Sequence, residues 1–261
     1  MKKAGLMDDV VVLEWSFSPS DYFEEPIHIK RDHYVMTIDN GKVEARIDSD
    51  AYNKEHKMRD ELHDALNHRF LAVQLLTHKP YKLSKASMYR LHPNGRKEVT
   101  IFAEPGVVTM SVGTPDFVVK DKDGNIVSDS RKDRIEKKKE LADLAEAYRS
   151  KDTLVTSLLS SYKAAVNDPD NELVHLYEIQ DALATKFGGV SAARTALGIS
   201  AAQWSRLGRL ANDEPLRQGR HRGEKVGALR DATEAELKEA RSIARSFVEG
   251  YLKHLERQNT L

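Results

Sequence analysis

The sequence predicts an α+β fold: an antiparallel sheet with one long helix in the N-terminal half, and an all-helical bundle in the C-terminal half. Three observations predict it. Asn40-Gly41 lies between two apolar-alternating segments, a strong hairpin signal. Apolar residues recur at helical spacing over about residues 50–77. Beyond residue 133 strand signals almost vanish and one helical segment follows another.

The elements follow in chain order. Residues 10–13 form a short apolar run. Residues 33–38 and 42–47 are the hairpin strands. Val43, Ala45 and Ile47 alternate with Lys42, Glu44 and Arg46, so one face is buried. Asn-Gly supplies the two positive φ values of a type I′ turn. Pro93-Asn94-Gly95 and Asp123-Gly124-Asn125 read as two further turns between β-like segments, and Glu104-Pro105-Gly106 as another turn. The helix over 50–77 carries Met58, Leu62, Ala65, Leu66, Val73 and Leu76 on its apolar side. The polar run Ser128-Asp129-Ser130-Arg131-Lys132-Asp133 marks a boundary, giving domains 1–129 and 130–261. Helices are expected at about 131–149, 152–166, 170–187, 190–197 and 201–212, with Pro169 as a start signal and Gly188-Gly189 as a stop. A polar stretch, 213–231, precedes the last helix. That helix opens on the capping-box pattern Thr233-Glu234-Ala235-Glu236 and runs to about residue 257.

Composition narrows the function classes. The 261 residues suffice for a sizeable core. Lysine and arginine balance aspartate and glutamate, so global charge implies no polyanionic partner and any nucleic-acid surface must be local. With no cysteine, disulfides, thiolate metal sites and cysteine nucleophiles are excluded. The N-terminal apolar run is too short for a signal peptide or membrane span, so the expected location is the cytoplasm, without membrane attachment.

Three constellations carry chemistry. The first is Leu216-Arg217-Gln218-Gly219-Arg220-His221-Arg222-Gly223. Across 206–230, Arg206, Arg209, Arg217, Arg220, Arg222, Lys225 and Arg230 oppose Asp213, Glu214 and Glu224, a local net charge of +4. Arginines bind phosphate, and a histidine among them is a candidate base for the 2′-OH of RNA. Such cleavage needs neither metal nor cofactor. The plainer reading is a solvated basic loop, or arginines capping nearby helix ends. The second is Val190–Ser200 leading into residues 201–212: helix, Leu-Gly-Ile-Ser turn, helix, the outline of a DNA-binding helix-turn-helix. Arg194 stands where that motif needs a small residue, and a plain helical hairpin is the alternative. The third is His56, His63 and His68 with Asp60, Glu61 and Asp64. Their spacing allows two-point metal contacts, but no HExxH pattern is present and ordinary helix surface is the stronger reading.

The C-terminal half also resembles a known family. Leu173-Val174-His175-Leu176-Tyr177-Glu178-Ile179, Leu197-Gly198-Ile199-Ser200, Trp204, Leu210-Ala211-Asn212 and Arg217–His221 follow an order similar to HEPN-like helical domains of the abortive-infection-related group, over residues 152–257. The resemblance implies a dimerising domain of four to five helices. In active families an R-x(4–6)-H motif makes a metal-independent endoribonuclease. The carry-over falls on Arg217 and His221, which are separated by three residues rather than four to six. Glu178 is the polar residue expected to complete the site, and Asn212 or Arg220 are substitutes. Arg206, Arg209, Arg220 and Arg222 are the expected nucleic-acid ligands. The implied function is RNA cleavage in antiviral defence or a toxin system, as a homodimer, with the N-terminal domain sensing or docking a protein partner. The alternatives are a non-catalytic HEPN-like scaffold and a helix-turn-helix regulator.

Overall fold

The computed structural model of the chain describes residues 9–55, 57–92, 97–100, 118–120, 126–225 and 227–259. Its fold is α+β, with an antiparallel sheet in the N-terminal part and helices in the C-terminal part. The turns read at 93–95, 104–106 and 123–125, and His56, lie outside the described residues.

The chain divides into two compact units, one of residues 1–67 with 81–136, the other of residues 68–80 with 137–261. In the first, the strands are β1 (Val10–Ser18), β2 (Ile27–Lys30), β3 (Tyr34–Asp39), β4 (Lys42–Asp48), β5 (Lys82–Leu83), β6 (Ser87–Leu91) and β7 (Lys97–Thr100). They pair in the order β2-β3-β4-β1-β6-β7, with β5 also on β1, all antiparallel. Asp39 faces Lys42, so Asn40-Gly41 is the two-residue loop, with φ of 42° and 81° as a type I′ turn requires. Val43, Ala45 and Ile47 are buried, as are Val11, Leu13 and Trp15 across the register, while Lys42, Arg46 and Asp48 are exposed. A separate hairpin pairs β8 (Val118–Lys120) with β9 (Ile126–Asp129).

One long helix was expected over 50–77, and two are present: α1 (Ser49–Lys54), capped by the Asp48 carboxylate, and α2 (Met58–Thr77). Between Tyr52 and Met58 the sequence offers only polar side chains, so no burial sustains a continuous helix. Trp15 Nε1 donates to His63 Nδ1 of α2 at 3.1 Å.

The described strands end at Asp129, and α3 (Ser130–Tyr148) follows at once. The second unit holds the rest of α3, then α4 (Thr153–Asn167), α5 (Glu172–Lys186), α6 (Val190–Leu197), α7 (Ala201–Gly208) and α8 (Glu234–Asn259). Its core includes Leu158, Leu159, Leu173, Leu176, Phe247 and Tyr251. Residues 68–80 bring Phe70, Val73 and Leu75, all buried, and a set of buried polar groups. Arg69 pairs with Asp143 and Glu146. His68 Nε2 lies 2.9 Å from Thr156 Oγ1. The reading of the α2 histidines as plain solvated surface is therefore corrected for His68, which is buried and partnered. His78, at φ 51°, reaches Tyr162 OH at 3.3 Å and the buried Glu172 at 3.6 Å, and Arg241 grips Glu172 with two bonds. Burial pushes the His78 imidazole below its ordinary value, against the pull of Glu172. Among the described residues no helix is long and apolar enough to cross a membrane.

Candidate functional site

The basic loop is built from α7 onward. Ser200 caps α7 through a reciprocal capping box with Gln203, after Gly198 turns the chain out of α6 at φ 68°. Trp204 and Leu207 are buried, and Trp204 stacks on Phe247 of α8 at 5.1 Å. The helix-turn-helix outline is thus present in the backbone, with its second helix packed on α8. A single π turn, Arg209–Asp213, extends α7 and buries Leu210 and Ala211.

The loop itself is tied at several points. Leu216 is buried, and its strand-like bridge to Arg230 is closed by Arg217 N to Arg230 O at 3.0 Å and Arg230 N to Pro215 O at 2.9 Å. Arg220 N donates to Ala211 O at 2.7 Å, and a Cβ at Gly219 would stand 2.9 Å from that same oxygen. Gln218 Oε1 accepts from Ala232 N at 3.0 Å. Arg222 donates to Gly219 O, to Asp170 O and to the Asn171 side chain at the start of α5. Arg220 places its guanidinium carbon 4.6 Å from the centre of the Tyr177 ring on α5.

The cations divide by role. Arg206 is held between Glu214 and Glu239, which raise its pKa, the Glu239 hydrogen bond most. Arg230 joins Glu236 and Glu214. The Arg230 bond, then the Thr233 N–H, hold the Glu236 carboxyl far below the usual carboxylate range. Much of the +4 counted along the sequence is therefore answered by Glu236 and Glu239, acids of α8 outside the counted window. Arg209 and Arg220 are exposed, and Arg217 is 64 % exposed with only a 3.8 Å approach to Asp231.

His221 is 45 % exposed, and its Nδ1 faces Glu224 Oε1 at 3.4 Å. Glu224 was not among the expected site residues, although its position three residues on, in the short 3₁₀ turn Arg222–Lys225, was visible in the sequence. Glu178, the expected third member, takes a bond from Ser161 and lies 3.7 Å from His175. Among the described residues no hydrogen bond or ion pair joins Arg217, His221 and Glu178 to one another. Arg217 and His221 share one loop; Glu178 sits beside Tyr177, which carries Arg220. The chain matches no protein-family model, no curated protein and no solved structure.

Proposed function

We propose that this chain is an RNA-cleaving protein of HEPN type acting through Arg217 and His221. The observation that carries the reading is a loop fixed along its backbone that nevertheless leaves these two side chains exposed. Rigid support with exposed polar ends is what a preorganised site requires. Glu224 Oε1 lies 3.4 Å from the imidazole Nδ1, and in this reading Nε2 acts as the base. Nε2 takes the 2′-OH proton, the 2′ oxygen attacks the adjacent phosphorus, and Arg217 offsets charge on the phosphoryl oxygens. The leaving 5′ oxygen needs a proton from a second group. A homodimer through residues 152–257 with its axis beside the loop supplies one, the partner subunit's His221.

The test is expression of wild type against His221→Ala, with total RNA examined. Growth arrest with RNA cleavage is expected for wild type and neither for the variant. A mixed dimer of wild-type and His221→Ala chains should lose most of the activity, because only one imidazole is left in the groove to serve as both base and acid. A strictly monomeric protein rules out the composite site.

A second reading, binding without cleavage, is favoured by Glu178, which is engaged with Ser161 and lies close to His175. In that case His221→Ala binds RNA as wild type does, and no preparation cleaves it.

A further inference from the structure

We propose that Arg220, supported by Tyr177, is a stacking platform for an unpaired nucleobase, making single-stranded RNA the substrate class of this loop. The proposal rests on the RNA reading of Arg217 and His221.

Arg220 is exposed, although its guanidinium carbon lies 4.6 Å from the centre of the Tyr177 ring. The guanidinium thus lies over the ring while the residue as a whole stays exposed to solvent. Among the described residues no carboxylate pairs with it, whereas Arg206, Arg217 and Arg230 of the same region each meet an acid. Its backbone is fixed by the 2.7 Å bond from Arg220 N to Ala211 O, and the neighbouring Gly219 fits only because it lacks a Cβ. Arg222 then clamps the loop to the start of α5, the helix that carries Tyr177. The side chain is thus oriented before any ligand arrives.

A guanidinium plane held in this way recognises two chemistries at once. Its edge donates to phosphate or 2′-OH, and its face takes a flat aromatic ring. Bases are available as faces only where they are unstacked, so the platform selects single strands or loops over duplex. Arg220 is adjacent in sequence to His221, so the base it holds belongs to a nucleotide beside the phosphate that His221 serves. Base selection is loose, because every base has a π face.

The probes are two short 2′-O-methyl RNA oligonucleotides, one carrying bases and one abasic throughout. Neither offers a 2′-OH, so wild-type protein binds them without cleaving them. Wild type should prefer the base-carrying strand by about tenfold. Arg220→Lys keeps the charge and loses the plane, and should bind both strands with nearly equal affinity. Tyr177→Phe keeps the ring under the guanidinium and should retain the preference. Equal binding of the two strands by wild type, no binding of either, or an undiminished preference in Arg220→Lys overturns the platform. Base preference without cleavage of ordinary RNA supports the platform and sinks only the catalytic reading. Cleavage of ordinary RNA without base preference does the reverse.

Discussion

Gly219 is held by space rather than by backbone conformation. A methyl group there would approach Ala211 O to 2.9 Å and Leu216 O to 3.2 Å, and both oxygens already accept bonds of the loop. Gly219→Ala should therefore cost roughly 1–3 kcal/mol and loosen the loop. Chemical denaturation reads the first effect, and faster amide exchange at Arg220 the second. His78 is the other residue whose surroundings dictate a measurable outcome. Burial lowers its pKa from 6.5, with Tyr162, Glu172, Arg241 and Glu234 around it. The unfolded chain therefore takes up this proton at a higher pH than the folded chain. The stability it contributes is complete above pH 6.5 and is lost as pH falls from there through the lower folded value. His78→Asn suits the positive φ of 51° and should show a shallower loss of stability than wild type between about pH 7 and about pH 5. Equal slopes would mean that the imidazole is not kept neutral.

Among the elements, α8 illustrates what local sequence can and cannot disclose. Its start was legible: Thr233 Oγ1 accepts from Glu236 N, and the Glu236 carboxylate accepts from Thr233 N at 2.8 Å. Thr233→Ala should cost about 1 kcal/mol, seen as a lower unfolding midpoint. The same Glu236 also receives two bonds from Arg230, and this was not legible, because nothing in the spacing says that a capping residue will also anchor the loop before it. Glu239 likewise neutralises Arg206 from 33 positions away. The hairpin of β3 and β4 was readable because Asn40-Gly41 and the alternation around it are local. The helices after Asp129 were readable from periodicity. The clasp of Arg222 on Asp170 and Asn171, and the approach of Arg220 over Tyr177, depend on how α5 packs, and no pattern along the chain encodes that. Of the arginines that the sequence singles out, Arg209, Arg217 and Arg220 are exposed. Arg206 and Arg222 are mainly spent within the protein.

For the whole molecule, the division of the chain matters most. Composition changes at residues 128–133, whereas the second compact unit takes residues 68–80 as well as 137–261. A fragment of residues 130–261 therefore lacks Phe70, Val73 and Leu75 from its core, and leaves Glu172 without His78. It should unfold at lower denaturant than a permuted chain in which 68–80 is joined back to it. Identical midpoints would show that the segment adds nothing. The reason is general: large apolar side chains removed from a core cost about 2–5 kcal/mol each, which for a unit of this size approaches its entire stability.

That division has a consequence during synthesis. Residues 68–80 leave the ribosome well before α8, which carries Arg241 and Phe247, has been translated. At typical rates the interval is on the order of ten seconds. Throughout it Phe70 and Leu75 lack the later part of their core, a sticky stretch held in waiting on a nascent chain. Helix α8 therefore joins the unit only after residues 68–80 and the helices from α4 to α7 have been made.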